Sequence, residues 1–263
     1  MTNKPRIAIC FFGITRSLSH TIGSIERNIL DPARSAGDVK IFSHFFDQPR
    51  IENPRSGESG VPVANEHKLL SSDWLKIEEP DACLRRWNFA KLKSYGDCWH
   101  DDFRSLRNLV HQLHSLNAAA TAAAEWSPSL YLFARPDLEY HDSFAPHLEA
   151  MLVKRGDAIS IPAWQHWRGG YNDRFSICRS KRAATAYGGR ISVAEEFCRQ
   201  NGEPLHAERL LRYALTKSFA QVRTMNLRAS RVRLDGTVRA ETFRPYYADR
   251  HWYMSRLMRK TIR

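Results

Sequence analysis

The segment RPDLEY (135–140) sets two carboxylates, Asp137 and Glu139, one residue apart and places Arg135 beside them. On an extended backbone, positions 137 and 139 face the same side, so both can contact one divalent cation, or one can hold the cation and the other a sugar hydroxyl. Such a cation neutralises a departing diphosphate, as transfer of a sugar from a nucleotide diphosphate requires. Arg135 can pair with Asp137 or meet a phosphate through two parallel hydrogen bonds. A D-x-E triplet also fits an exposed turn in which the aspartate caps backbone N–H groups. The neighbouring arginine and the apolar run before it favour a site. His206 is a third candidate metal ligand, although a lone histidine is more often a hydrogen-bonded loop residue.

A second cluster of chemistry lies in WQHWRGGYNDRF (164–175). Trp164, Trp167 and Tyr171 offer flat faces to a sugar ring, Gly169-Gly170 lets the backbone approach a ligand, and Asn172, Asp173 and Arg174 add polar groups. Asp173 is a candidate base or sugar-hydroxyl ligand. Glu208 lies in the first turn of the helix HAERLLRYAL, where a helix N-terminus accounts for an acid without any catalytic role. Towards the amino terminus, FFGITR (11–16) follows a strand with Gly13 and then Arg16, an arrangement in which backbone amides and Arg16 can face a nucleotide. It lacks the glycine spacing of dinucleotide and P-loop motifs. In SRVRLDGTVR, Arg231 and Arg233 share one face of an expected hairpin turning at Asp235-Gly236 and can hold a diphosphate or decorate a solvent face. His44 reads as a satisfied core histidine.

These groups need a scaffold, and the hydrophobic pattern supplies one. RIAICFF (6–12) and VKIFSHFF (39–46) are near-continuous apolar runs, the mark of buried parallel strands, with a helical period over 21–30 between them that Asp31-Pro32 ends. A long helix is expected over 102–126, followed by the strand LYLFA (130–134), which delivers RPDLEY to a strand's carboxyl edge, where open α/β sheets bind ligands. Further on, a helix (143–155), strands at 158–162 and 173–178, helices near 180–200 and 205–217, and short strands QVRTM and SRVRL are expected. Residues 47–60 read as an exposed loop, and 61–100 carry little pattern. The whole is an α/β domain with a mostly parallel central sheet flanked by helices.

The chain has 263 residues, of which 43% are hydrophobic and 26% charged, as in ordinary globular proteins. Its longest apolar run, Ile7 to Phe12, is far shorter than the ~20 residues of a membrane span, and no secretory signal pattern precedes it. The expected location is the cytoplasm. Five widely spaced cysteines form no C-x-x-C pair, so reduced thiols are expected. The formal net charge is +12, which suits an anionic partner. Eleven of the basic residues stand against three acids from Arg223 onward. The basic amphipathic segment 250–263 is expected to be a helix, either docked on the domain or lying on an anionic membrane at its inner face.

Read in order, IAICFFGITRSL, VKIFSHFFD, LVHQLHSLNAA, YLFARPDLEY, GGYNDRFSI with Tyr187 and Arg190 after it, HAERLL and RVRLDG resemble a family of poorly characterised glycosyltransferases similar to GT-A enzymes and associated with bacterial surface polysaccharides and large viruses. The resemblance spans roughly residues 6–239. It implies a GT-A-like domain over 1–245 with a tail at 246–263, a nucleotide-sugar donor, a glycan acceptor and a DXD-like position at Asp137, here with Glu139 as second acid. A divalent cation, Mn²⁺ or Mg²⁺, is the implied cofactor. The resemblance favours Asn172 and Asp173 as active-site residues. An inverting reaction needs a base close to the anomeric carbon, Asp173 or Glu208, and a retaining one needs none. Two other functions fit the same composition: a basic nucleic-acid-binding protein, for which no recognised module is present, and a non-catalytic sugar-nucleotide-binding scaffold.

Overall fold

The computed structural model describes residues 4–53 and 57–245. In β1 (Arg6–Gly13), Ile7 to Phe12 are fully buried because both faces of the strand are covered. Ile7, Ile9 and Phe11 enter one apolar core, and Ala8, Cys10 and Phe12 a second. The same alternation recurs in β6 (Leu130–Ala134), with Leu130, Leu132 and Ala134 on one side and Tyr131 and Phe133 on the other. A side-chain period of two divides each apolar run between the two cores.

Five further strands complete the sheet: β2 (Asp38–Phe46), β5 (Trp74–Glu78), β8 (Ala158–Pro162), β9 (Ser176–Cys178) and β10 (Gln221–Met225). Their order is β10-β8-β9-β6-β1-β2-β5. Only β9 runs against its neighbours β6 and β8. Helix α5 (Arg104–Glu125) covers one face through Leu116, Ala119 and Ala123, joined by α7 (Lys181–Gly188) and α9 (Ala207–Lys217). On the other face lie α1 (Leu18–Ile25), α2 (Asp31–Ala36) and α6 (Ala145–Leu152). A third core joins α3 (Ala82–Arg86), α4 (Phe89–Lys93), the amino-terminal half of α5 and α8 (Ala194–Asn201). Two small ribbons, β3 (Ile51–Asn53) with β4 (Glu58–Gly60) and β7 (Leu138–Tyr140) with β11 (Ala229–Arg231), lie outside the main sheet.

The expected α/β layering is therefore present, with local differences. Asp31-Pro32 does not end the first helical segment. A π-helical turn over Glu26–Leu30 leads straight into α2, which carries Pro32 in its first turn. The strand expected over 173–178 is confined to β9, because Asn172 and Asp173 turn away into side-chain contacts. The unpatterned stretch 61–100 contains the edge strand β5, whose Leu75 and Ile77 remain exposed. All five cysteines are free and four are buried. No described helix is long and apolar enough to cross a membrane. The helix expected over 250–263 lies outside the described residues.

Candidate functional site

The carboxyl ends of β1 and β6 converge on Asp137. It stands in the turn between β6 and β7 and not on extended backbone, so the alternation that would put Asp137 and Glu139 on one side does not apply. Arg135 Nε and Nη2 donate to Asp137 Oδ1 and Oδ2 at 2.9 and 2.7 Å, and Arg16 Nη2 donates to Oδ2 at 2.9 Å. Asp137 is 1% exposed. Burial alone would raise its pKa, but the two guanidinium groups outweigh it and hold the carboxyl well below the usual range.

The network extends both ways from this centre. Arg16 Nη1 reaches Glu58 Oε2 on β4 at 2.9 Å, and Glu58 also accepts from Arg233 Nη1 at 3.1 Å and from the Leu234 amide at 3.0 Å. In the other direction Arg135 Nη1 donates to Gln112 Oε1 on α5 at 3.2 Å, and Gln112 Nε2 approaches Asp173 Oδ2 to 3.5 Å. Arg190, itself 1% exposed, donates to the same oxygen at 2.9 Å. Alternating charges thus run from Glu58 to Arg190 along the carboxyl edge of the sheet. Gly13, at a φ of 104° that favours glycine, sends its N–H to Ser115 on α5 at 2.8 Å.

Arg233 opens a tight turn closed by Gly236 N–H to its carbonyl oxygen at 2.9 Å, Arg231 lies two residues before it, and the two arginines serve different acids. Arg233 holds Glu58. Arg231 Nε donates to Glu241 Oε1 at 2.9 Å, and Glu241 is also approached by Arg174 at 3.5 Å. Burial, with Arg231 nearby, lowers Arg174 to about 10, which leaves it charged at neutral pH.

Glu208 occupies the first turn of α9, as expected, but the helix end does not set its titration. Burial, then the charge of Asp173, raises it to about 7. The loop 164–175 packs directly on this helix start, where Tyr171 N–H donates to Glu208 O at 2.9 Å. A Cβ on Gly170 would lie 2.2 Å from the Glu208 carbonyl carbon. Gly170→Ala is therefore expected to cost roughly 1–3 kcal/mol and to lower the melting temperature; an unchanged melt would mean that the loop seats elsewhere.

Several expected roles change here. Trp164, proposed as a sugar platform, is a core residue: its indole N–H donates to Leu227 O at 2.7 Å and Arg174 covers its face at 4.7 Å. Tyr171 is also buried, and of the three aromatics only Trp167 is largely exposed. Asn172 is occupied with its own loop, donating to Trp164 O and accepting from Arg174 N–H. His206 stacks on Trp99 and places Nδ1 3.3 Å from Glu208 Oε2. Asp137, Glu139 and His206 do not gather. Both Asp137 oxygens are engaged by arginines and Glu139 is half-buried in β7, so the residues as placed do not fit a carboxylate-held Mn²⁺ or Mg²⁺. Among the described residues the cluster with metal-ligand spacing is His44, Glu78 and His114. Gln112, Glu58 and Glu241 carry no motif signal, and only the fold brings them in.

No family model and no curated protein matches the chain. Solved structures do match. Core-mannan synthase A from Aspergillus fumigatus, in a Mn/GDP form, is 10% identical over 94% of this chain and 81% of that one, with a TM-score of 0.50. Mouse xyloside xylosyltransferase 1, apo form, is 10% identical over 84% and 85%, with a TM-score of 0.43. The galactosyltransferase LgtC, in complex with donor and acceptor sugar analogues, is 12% identical over 83% and 73%, with a TM-score of 0.37. The mannan synthase likeness covers nearly the whole chain and shows a GT-A-like α/β fold.

Proposed function

We propose that the chain is a nucleotide-sugar-dependent glycosyltransferase that transfers a sugar to a hydroxyl of a glycan or related acceptor, with synthesis of a surface polysaccharide as its setting. The observation that carries this reading is the Asp137 carboxylate fixing Arg135 and Arg16 at the carboxyl edge of β1 and β6. That edge is where α/β sheets take ligands, and arginine forks match phosphate oxygens. The donor diphosphate sits against Arg135, Arg231 and Arg233, whose side chains keep part of their surface in solvent.

In this reading the arginines neutralise the charge that develops on the diphosphate, and no step passes through a metal. Glu208 takes the proton from the acceptor hydroxyl. The oxygen then bonds to the anomeric carbon while the bond to the diphosphate breaks and its electron pair leaves with the phosphate. A carboxylate that titrates near 7 suits a base working at neutral pH. Burial first and then the charge of Asp173 keep Glu208 at that value, and Asp173, tied to Arg190 and near Gln112, links it to the donor arginines.

The test is thermal stability of the purified chain against UDP-, GDP-, CMP- and dTDP-sugars, with and without Mn²⁺ or Mg²⁺. One nucleotide class is expected to raise the melting temperature without either metal, and Arg135→Lys, which keeps the charge but loses the fork, to reduce that shift. No shift with any donor, together with salt-sensitive nucleic-acid binding, would replace this reading with the basic nucleic-acid one.

A further inference from the structure

A cluster apart from the arginine network lies where the ends of β2 and β5 meet α5. His44 on β2 is fully buried, and neither ring nitrogen has a hydrogen-bond partner. Its Nε2 faces Glu78 Oε2 at 3.4 Å, and His114 Nε2 on α5 lies 2.7 Å from the same oxygen. One ligand atom from each of the three residues falls within 4.8 Å of the others. Buried polar atoms nearly always find partners, so a fully buried imidazole with no hydrogen bond at Nδ1 and only the long contact to Glu78 at Nε2 needs an explanation.

We propose that His44, His114 and Glu78 form a binding site for a divalent cation of the zinc class, which ties the edge strand β5 to helix α5. Two imidazoles and one carboxylate are a donor set that zinc takes in tetrahedral geometry, with water as the fourth ligand. Metal–ligand bonds of about 2.0–2.2 Å bring neighbouring ligand atoms to roughly 3.3 Å apart, so the cluster needs only small shifts to close. The second Glu78 oxygen pairs with Lys76, which fixes the carboxylate so that Oε2 points at the histidines. Ser115 Oγ donates to His44 O at 2.6 Å and holds the β2 end on the helix from the other side.

One contact must change on binding. Trp87 Nε1–H donates to His114 Nδ1 at 2.9 Å, which leaves the neutral ring's proton on Nε2. For Nε2 to ligate, that proton moves to Nδ1 and the half-buried indole turns away.

Full-length, untagged chain, stripped with a chelator and dialysed, is titrated with Zn²⁺ by calorimetry and with Co²⁺ by its visible absorption. One equivalent is expected to bind, with a tetrahedral cobalt band and a rise in melting temperature; Glu78→Gln, which keeps the side-chain shape at a partly exposed position, loses this binding. Trp87→Phe, lacking the competing N–H, retains it. Absence of binding in the unaltered chain, binding that survives Glu78→Gln, or loss in Trp87→Phe would each overturn the assignment.

Discussion

Replacing Glu208 by glutamine is expected to lower sugar transfer by roughly 10²–10⁴-fold while the thermal shift produced by the nucleotide donor stays unchanged. The unaltered chain should show a rate that rises with pH through about 7, where Glu208 ionises, and the variant should lose that inflection. Stability gives a second readout. Glu208 ionises at 4.5 by its ordinary value and at about 7 when folded. Below 4.5 it is protonated in both states and costs nothing. As pH rises towards 7 the unfolded chain releases the proton and the folded chain retains it, so stability falls across that window by up to about 3 kcal/mol. Glutamine has no proton to release, so Glu208→Gln should be more stable than the unaltered chain at pH 8 and equal to it at pH 4. A variant with undiminished turnover would remove Glu208 from the chemistry; a variant that is slow but has an unchanged stability profile would show that burial does not raise its titration.

What the sequence made legible follows from the range of the forces involved. β1, β6 and α5 can be read because each carries its own period, an uninterrupted apolar run or a stripe every three to four residues. Arg135 beside Asp137 can be read because they are two residues apart. The Asp137 partner Arg16 is 121 residues away and the Arg16 partner Glu58 is 42 residues beyond Arg16, and Glu58 lies in a stretch whose composition signals only a loop. β5 is hidden for a different reason: as an edge strand with Leu75, Lys76 and Ile77 all solvent-facing to some degree, it lacks the buried alternation of a central strand. Trp164 reads as a ligand-facing aromatic although it is buried, because composition cannot tell an aromatic that turns inward from one that faces a ligand. His44 reads as a satisfied core residue, and only its neighbours on β5 and α5, invisible at that sequence distance, show that its ring makes no hydrogen bond and meets Glu78 at 3.4 Å.

Asp137→Asn should discriminate between two roles for this acid, because a metal ligand and an arginine clamp respond in opposite ways. If Asp137 held a cation that carried the diphosphate, losing its charge would weaken donor binding. As the clamp between Arg135 and Arg16, it holds down two cations, and its removal leaves them buried without a full counter-charge. That is expected to cost about 3–5 kcal/mol of stability, read as a lower denaturation midpoint with an unchanged slope. The lost part is also pH-dependent: Asp137 titrates below its ordinary value of 3.8 when folded, so its contribution is complete above that value and disappears as pH falls below it, and the variant should lack this component of acid unfolding. The released guanidinium groups remain positive, so a nucleoside diphosphate should bind at least as tightly as before and recover part of the lost stability by mass action. Turnover should nevertheless fall, since arginines no longer fixed by the carboxylate do not meet the developing charge in a set geometry. Weaker nucleotide binding in Asp137→Asn, with Mn²⁺ strengthening binding in the unaltered chain and not in the variant, would instead make Asp137 a metal ligand and displace the arginine-based site.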